Sequence, residues 1–279
     1  MSRRFAMSAL EVGTVVAALV LWGIVSADSE SIYFPPLTEI LDRFAANWMF
    51  ERVGSDVVPS LIRVIVGFLL SALIGIAVGL LLGRSRSLRG ALGPPLEFLR
   101  NVPPPALVPF ALLVFGIGES EKIFLIVLGC VFPILLATVD GVADIDPVTR
   151  DTADAYRIGG AQRLGSVILP AAAPRIAAGM RTSLSLAVIL MVVSEMVAST
   201  DGIGHFVVEA QRSFAIADMW SGILLLGLVG YALNLGFALA ENRLLWWRRA
   251  AARAARGAPG TPGRPASRPG RAGWGDRRR

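Results

Sequence analysis

Asp151-Thr152-Ala153-Asp154-Ala155-Tyr156-Arg157-Ile158-Gly159-Gly160-Ala161-Gln162-Arg163-Leu164-Gly165-Ser166-Val167-Ile168-Leu169-Pro170 is the stretch whose reading decides the fold. It is polar, and long apolar segments flank it on both sides. Asp151, Asp154, Arg157, Gln162 and Arg163 cannot lie in lipid without a heavy cost, so a loop outside the bilayer must hold them. Ala153, Ala155 and Ala161 favour helix, and the pair Gly159-Gly160 breaks it. Leu169-Pro170 and Pro174 mark the start of a new segment. The expected form is a short helix, a turn, a second short helix and a return into the membrane, with the turn geometry between Arg157 and Gly160 left open. Such a loop presents a compact knob to another protein.

Composition agrees with a membrane setting. The chain has 279 residues, 54% of them hydrophobic and 17% charged, with a mean hydropathy of +0.62. That is too apolar for an ordinary soluble domain and indicates an all-α polytopic membrane protein. The formal charge of +6 is unevenly placed. From Glu241 to Arg279 there are eleven arginines against two acids, so the rest of the chain is acidic on balance. The basicity therefore belongs to a tail and does not argue for nucleic acid. A single cysteine, Cys130, forbids an internal disulfide and reads as a small apolar residue in a membrane helix.

Six spans are expected. Residues 1–27 hold a basic start and a first transmembrane helix over Val12 to Ala27. Residues 28–60 form an external loop, in which Leu37, Ile40, Leu41, Phe44 and Trp48 give one apolar face to an interfacial helix. Residues 61–245 are the transmembrane core, and 246–279 are an Arg-rich disordered tail. Within the core, Val64 to Gly83 is charge-free, with Gly67, Ser71, Gly75 and Gly79 recurring every fourth residue. Small residues at that spacing let a neighbouring helix approach closely. Leu92 to Gly118 contains Pro103-Pro104-Pro105, so this span must be broken or kinked. Ile123 to Val139, Arg181 to Thr200 and Met219 to Ala240 complete the set, and 146–175 is the polar loop between the fourth and fifth.

Arginine distribution orients the spans. One set of loops holds Arg3, Arg4, Arg84, Arg86, Arg89, Arg150, Arg157, Arg163, Arg175 and the tail. The other set holds Arg43, Arg52, Lys122 and Arg212. The positive-inside rule places both termini, and the 151–170 loop, in the cytoplasm. The Arg-rich tail is placed to touch anionic headgroups, at about 1 kcal/mol per basic residue; the equal alternative is a dispensable extension of topological value.

The loop also resembles a known signature. Permease subunits of ABC importers carry Glu-Ala-Ala, a glycine four residues after the last alanine, then Ile-x-Leu-Pro. Asp151, Thr152, Ala153, Val167, Leu169 and Pro170 match at the corresponding spacing. Asp151 stands for the glutamate and keeps its charge, while Arg157 occupies the glycine position. The phrase Glu97-Phe98-Leu99-Arg100-Asn101-Val102-Pro103-Pro104, with Leu107-Val108-Pro109 after it, is similar to the nitrate, sulfonate and taurine branch of that family. Ser194-Glu195-Met196-Val197-Ala198 with Gly202-Ile203-Gly204 resembles a further stretch.

The resemblance implies a type I ABC importer permease fold with a cytoplasmic coupling helix, in a bacterial inner membrane. It implies two ATPase subunits, a periplasmic or lipid-anchored solute-binding protein and a second copy of this chain. Asp151, Thr152, Ala153, Arg157, Gly159, Gly160, Leu169 and Pro170 would then be the ATPase-coupling residues. The solute would be a small anion such as nitrate, a sulfonate or taurine. A gradient-driven secondary transporter is the alternative, and it predicts inverted repeats with broken helices in both halves. A membrane-embedded enzyme would need clustered acids or histidines at membrane depth, and Glu195 alone qualifies clearly. The chain has no Gly-x-x-x-x-Gly-Lys-Ser/Thr loop, so ATP hydrolysis belongs to a partner. One histidine, His205, and one cysteine make no metal cluster, and no catalytic motif or cofactor site is expected.

Arg100, Asn101, Ser194 and Glu195 are the candidate pathway or gate residues. Glu195 is expected to pair with Arg100 or Arg181, as a gate or as a structural ion pair. An acid in the path of an anion would repel it, which favours the structural role. Asn101 and Asn234 are expected to bond between helices or to line the path. Gly202 and Gly204 read as turn residues on the external side.

Overall fold

The computed structural model describes residues 13, 14, 17, 19 to 27, 29 and 31 to 246. The basic start at Met1 to Arg4, most of the expected first span before residue 19, and the tail beyond residue 246 lie outside the described residues. Residues 19 to 26 are helical. Thereafter come α1 (Leu37–Ala46), α2 (Val58–Arg84), α3 (Arg86–Arg100), α4 (Val108–Phe115) and α5 (Glu119–Ala143). The chain continues through α6 (Pro147–Ala155), α7 (Gly160–Arg163), α8 (Leu169–Ala198), α9 (Ile203–Arg212) and α10 (Ile216–Leu244). No strand occurs among the described residues.

Among the described residues, four continuous helical stretches are long and apolar enough to cross a membrane: Val53–Arg84, Glu119–Ala143, Gly160–Ala198 and Ile216–Leu244. The shortest has 25 residues, or about 37 Å of helix against about 30 Å of hydrocarbon. α3 and α4 meet at 80° and together carry the length and apolar content of one further span. Pro103 to Pro105 offer no N–H to a continuing helix, so the chain leaves α3 at Asn101 and restarts as a short 3-10 turn over Pro104–Leu107. The proline run thus breaks the third span as expected.

The fifth span starts well before the expected Arg181. α8 begins at Leu169, with Pro170 in its first turn, and runs through Ala171 to Ala173. Pro170 needs no intrahelical donor there, and the alanines propagate the helix. Pro174 stays inside the helix instead of delaying its start.

α5 lies between α2 and α8, and glycines set the closeness of both seams. A Cβ built on Gly67 would lie 2.5 Å from the Ile126 side chain, one on Gly79 2.6 Å from Thr138, and one on Gly83 2.7 Å from Val142. On the other seam a Cβ on Gly179 would meet Ala137 at 2.5 Å. In lipid the apolar effect does not draw helices together, so this close packing is what holds them. Cys130 is fully buried in the resulting core with Val64, Ile126, Ile134, Ala187 and Met191. Its neighbour Ser183 donates to the Cys130 carbonyl at 2.8 Å across the seam.

α1 puts its apolar face on protein. Ile40 is buried, and Trp48, just past the helix, stacks edge-on against Phe206 of α9 and donates from Nε1 to Ser221 Oγ of α10 at 3.1 Å. α10 buries only Ile216, Ala217, Ser221 and Gly222, all near its start, and so leaves most of its length as an outer surface. The two expected interhelical asparagines are used locally. Asn101 Nδ2 donates to the Glu97 carbonyl at 2.6 Å and Asn234 Nδ2 to the Gly230 carbonyl at 2.9 Å, each one turn back on its own strand of chain. A short amide side chain reaches its own preceding turn at no cost in helix separation.

Candidate functional site

Residues 146 to 170 form a knuckle at one end of the bundle. Asp146 caps α6 by accepting from the Val148 N–H at 2.8 Å, and Pro147 follows it in the first turn. Ala153 is buried at 2% exposure and anchors α6, while Asp151 and Thr152 face outward. The Thr152 hydroxyl is satisfied by the Val148 carbonyl at 2.6 Å. α6 then ends in paired closing bonds. The Arg157 N–H donates to the Asp154 carbonyl and the Ile158 N–H to the Ala153 carbonyl, both at 3.0 Å. That closure requires a left-handed residue after the helix, and Arg157 takes it at φ +52°.

This supplies the turn geometry that the sequence left open between Arg157 and Gly160. Gly159, at φ −65° and ψ 159°, adopts a conformation open to any residue, and a Cβ on Gly159 or Gly160 would meet nothing within 4 Å. The glycine pair precedes and starts α7; Arg157 makes the turn. Asp154 and Arg163 form an ion pair across it. A wide π turn over Leu164–Ile168 joins α7 to α8, so Leu169 and Pro170 pass directly into a membrane-length helix. Arg150 donates to the Val142 and Ala143 carbonyls at 2.7 and 3.0 Å and so caps the end of α5. The knuckle is thereby fastened to α5 and α8 together. Sequence reasoning missed Val148 and Tyr156, which stand 69% and 78% exposed on it. Periodicity could not find them, because α6 is too short to show a face.

At the far end lies a buried ion cluster. Arg63 is 1% exposed and Glu195 is fully buried. Arg63 Nη1 donates to Glu195 Oε1 at 2.7 Å, and Nε donates to Glu119 at 2.8 Å. The third nitrogen, Nη2, donates to Glu119 and Asp201. Glu195 also accepts from the Ser60 hydroxyl at 2.7 Å and from the Gly204 N–H at 2.9 Å. A Cβ on Gly202, whose φ is +104°, would fall 2.5 Å from the Glu195 carboxylate, so this glycine closes the loop over the acid as well as turning the chain. The cluster ties α2, α5, α8 and the loop before α9.

Glu195 therefore pairs with neither Arg100 nor Arg181. Arg181 is bonded to Glu241 and Arg100 faces Glu97 at 3.6 Å. Arg63 immediately precedes the charge-free run Val64 to Gly83, and no local pattern in the sequence marks it as the partner of Glu195. Ser194 is buried and donates to the Met191 carbonyl at 2.8 Å, on its own helix. Arg100 and Asn101 stand apart from this cluster, at the break between α3 and α4, and Arg100 borders a cavity of about 530 Å³.

Comparison with known proteins agrees with this architecture. Residues 71–244 match the model of a family described as binding-protein-dependent transport system inner membrane component. The chain is 31% identical over 245 residues to the taurine transport system permease protein of Escherichia coli, covering 85% of this chain and 89% of that one. It is 34% identical over 236 residues to a bicarbonate transport system permease protein of Synechococcus elongatus, covering 81% and 85%. Among solved structures, a chain of the MetNI methionine ABC transporter in an inward-facing conformation superposes with a TM-score of 0.60 at 19% identity, covering 67% of this chain and 94% of that one.

Proposed function

The chain belongs to the family of binding-protein-dependent transport system inner membrane components, the permease subunits of ABC transporters, and from that premise we propose that it imports a small anion by carrying ATPase motion through residues 151 to 170. The observation that supports this most is the knuckle itself. It exposes Val148 and Tyr156, is stapled by Asp154 and Arg163, and runs without a break into the membrane-length stretch Gly160–Ala198. A push on such a knob moves a whole helix, because a close-packed helix pair tilts as a body more easily than it deforms. Leu169 and Pro170 sit at the joint, and Asp151, Thr152, Arg157 and Gly160 form the outward polar face.

The arginine excess on the knuckle side favours a cytosolic setting for it, with two ATPase subunits beneath a pair of permease copies. The long outer surface of α10 and the apolar residues of α4, Phe110, Leu113 and Val114, are available to lipid or to the second copy. A solute-binding protein would then meet the far end, near the Arg63 cluster and α9. The relatives are named for taurine, aliphatic sulfonates, nitrate and bicarbonate, which share a small oxyanion group. A gradient-driven mechanism finds no support: one span is broken, and no matching break occurs among the other described spans. Glu195, sealed by Arg63, Ser60 and Gly204, fits a structural latch better than a gate.

The test is transport by the reconstituted complex with its ATPase and binding protein. Asp151→Arg or Tyr156→Ala should abolish ATP-driven uptake while leaving membrane insertion intact. Uptake at the normal rate in both variants would remove the coupling role.

A further inference from the structure

We propose that the cavity at the break of the third span is an anion transit site, with Arg100 as its cation. This rests on the importer reading above and names the place where the solute's charge is met. The cavity holds about 530 Å³ and is walled by Arg100, Pro104, Gly129, Pro133, Ile189 and Leu190 among others. That volume takes a small oxyanion with several of its waters. Arg100 ends α3 at the break between Arg86–Arg100 and Pro104–Phe115, two arms that meet at 80°. Ionisable groups among apolar segments mark pathways, and interrupted helices are where secondary transporters place their binding sites.

Two further facts make the place specific. The first is the state of the arginine. Of the arginines within the spans, Arg63 is saturated by Glu195, Glu119 and Asp201, and Arg181 is held by Glu241. Arg100 has, among the described residues, only Glu97 at 3.6 Å, beyond hydrogen-bond reach, and both side chains are open to their surroundings. Its guanidinium fork therefore keeps donors for a bidentate oxyanion. No carboxylate lines the cavity. Glu195, the acid that would have repelled an anion, is neutralised elsewhere.

The second fact is how the cavity is shaped. Pro103 to Pro105 remove the helix on one side, and Pro133 offers no N–H to the Gly129 carbonyl on the other. Gly129 lets Leu190 and Pro104 close in where a Cβ would collide with both. A lone cation in an otherwise apolar wall suits transit. An unpaired anion in such a wall is costly, and one arginine offsets that without holding the solute so tightly that it cannot leave.

The experiment needs no knowledge of the solute. In the full permease–ATPase complex in membranes, Cys130→Ala removes the native thiol and Ile189→Cys places a reporter on the cavity wall. The reporter is treated with anionic sulfonatoethyl methanethiosulfonate and, separately, with the cationic trimethylammonioethyl reagent. The anionic-to-cationic rate ratio should fall several-fold with Arg100→Gln, hold with Arg100→Lys and rise with Glu97→Gln. An unchanged ratio in Arg100→Gln and Glu97→Gln, or a reporter that neither reagent reaches, would overturn the site. ATP-driven uptake by the unsubstituted complex is scored separately. If uptake stands and the ratio does not move, only the transit site falls; if no ATPase assembles with the chain, the importer reading falls first.

Discussion

Arg157 illustrates how much one backbone angle decides. A non-glycine residue in the left-handed region costs on the order of 1 kcal/mol, and it persists here because the closing bonds of α6 require it. Arg157→Gly should therefore leave the unfolding midpoint of the purified complex unchanged or raise it, and Arg157→Val should lower it. A lower midpoint for the glycine variant would show that the arginine side chain itself does the holding. Arg63 is the opposite case, a charge whose partners fix its position. Removing one member of a buried pair costs about 3–5 kcal/mol, so Arg63→Gln should cost most of the folded yield in detergent. Asp201→Asn, at a carboxylate 41% exposed, should cost far less. Equal losses would mean that the loop bond matters as much as the buried one.

At the level of elements, the seam between α2 and α5 is set by missing side chains. Gly79→Leu should lower the thermal midpoint sharply, since its Cβ alone would meet Thr138 and the Leu135 carbonyl. Gly90→Ala, which meets nothing within 4 Å, should be silent or slightly stabilising. The same contrast explains what could be read from residues alone. The repeat of Gly67, Ser71, Gly75 and Gly79 announced a close seam, and the three prolines announced a broken third span, because both effects are local to the segment that carries them. The start of α8 lies ahead of the expected Arg181, since Arg175 is accommodated inside the helix and reaches outward to Asp144. The Arg63–Glu195 pair spans 132 positions of sequence, and no local pattern links the two. Asn101 and Asn234, expected to bond between helices or to line the path, donate instead to the turns just before them.

On the scale of the whole molecule, two fastened ends enclose a bundle that glycines hold close. One end is the knuckle, tied to α5 by Arg150 and continuous with α8; the other is the Arg63 cluster, which gathers α2, α5 and α8. On the proposed reading such a body would pass a displacement from one end toward the other, with a nucleotide-hydrolysing partner seizing the knuckle. The direct measurement is photochemical. A benzophenone amino acid in place of Tyr156, irradiated in native membranes, should yield an adduct with the ATPase subunit, whereas the same group in place of Phe214, 71% exposed at the far end, should not. A Tyr156 adduct with the extracytoplasmic binding protein, or an ATPase adduct formed from Phe214 instead, would contradict it.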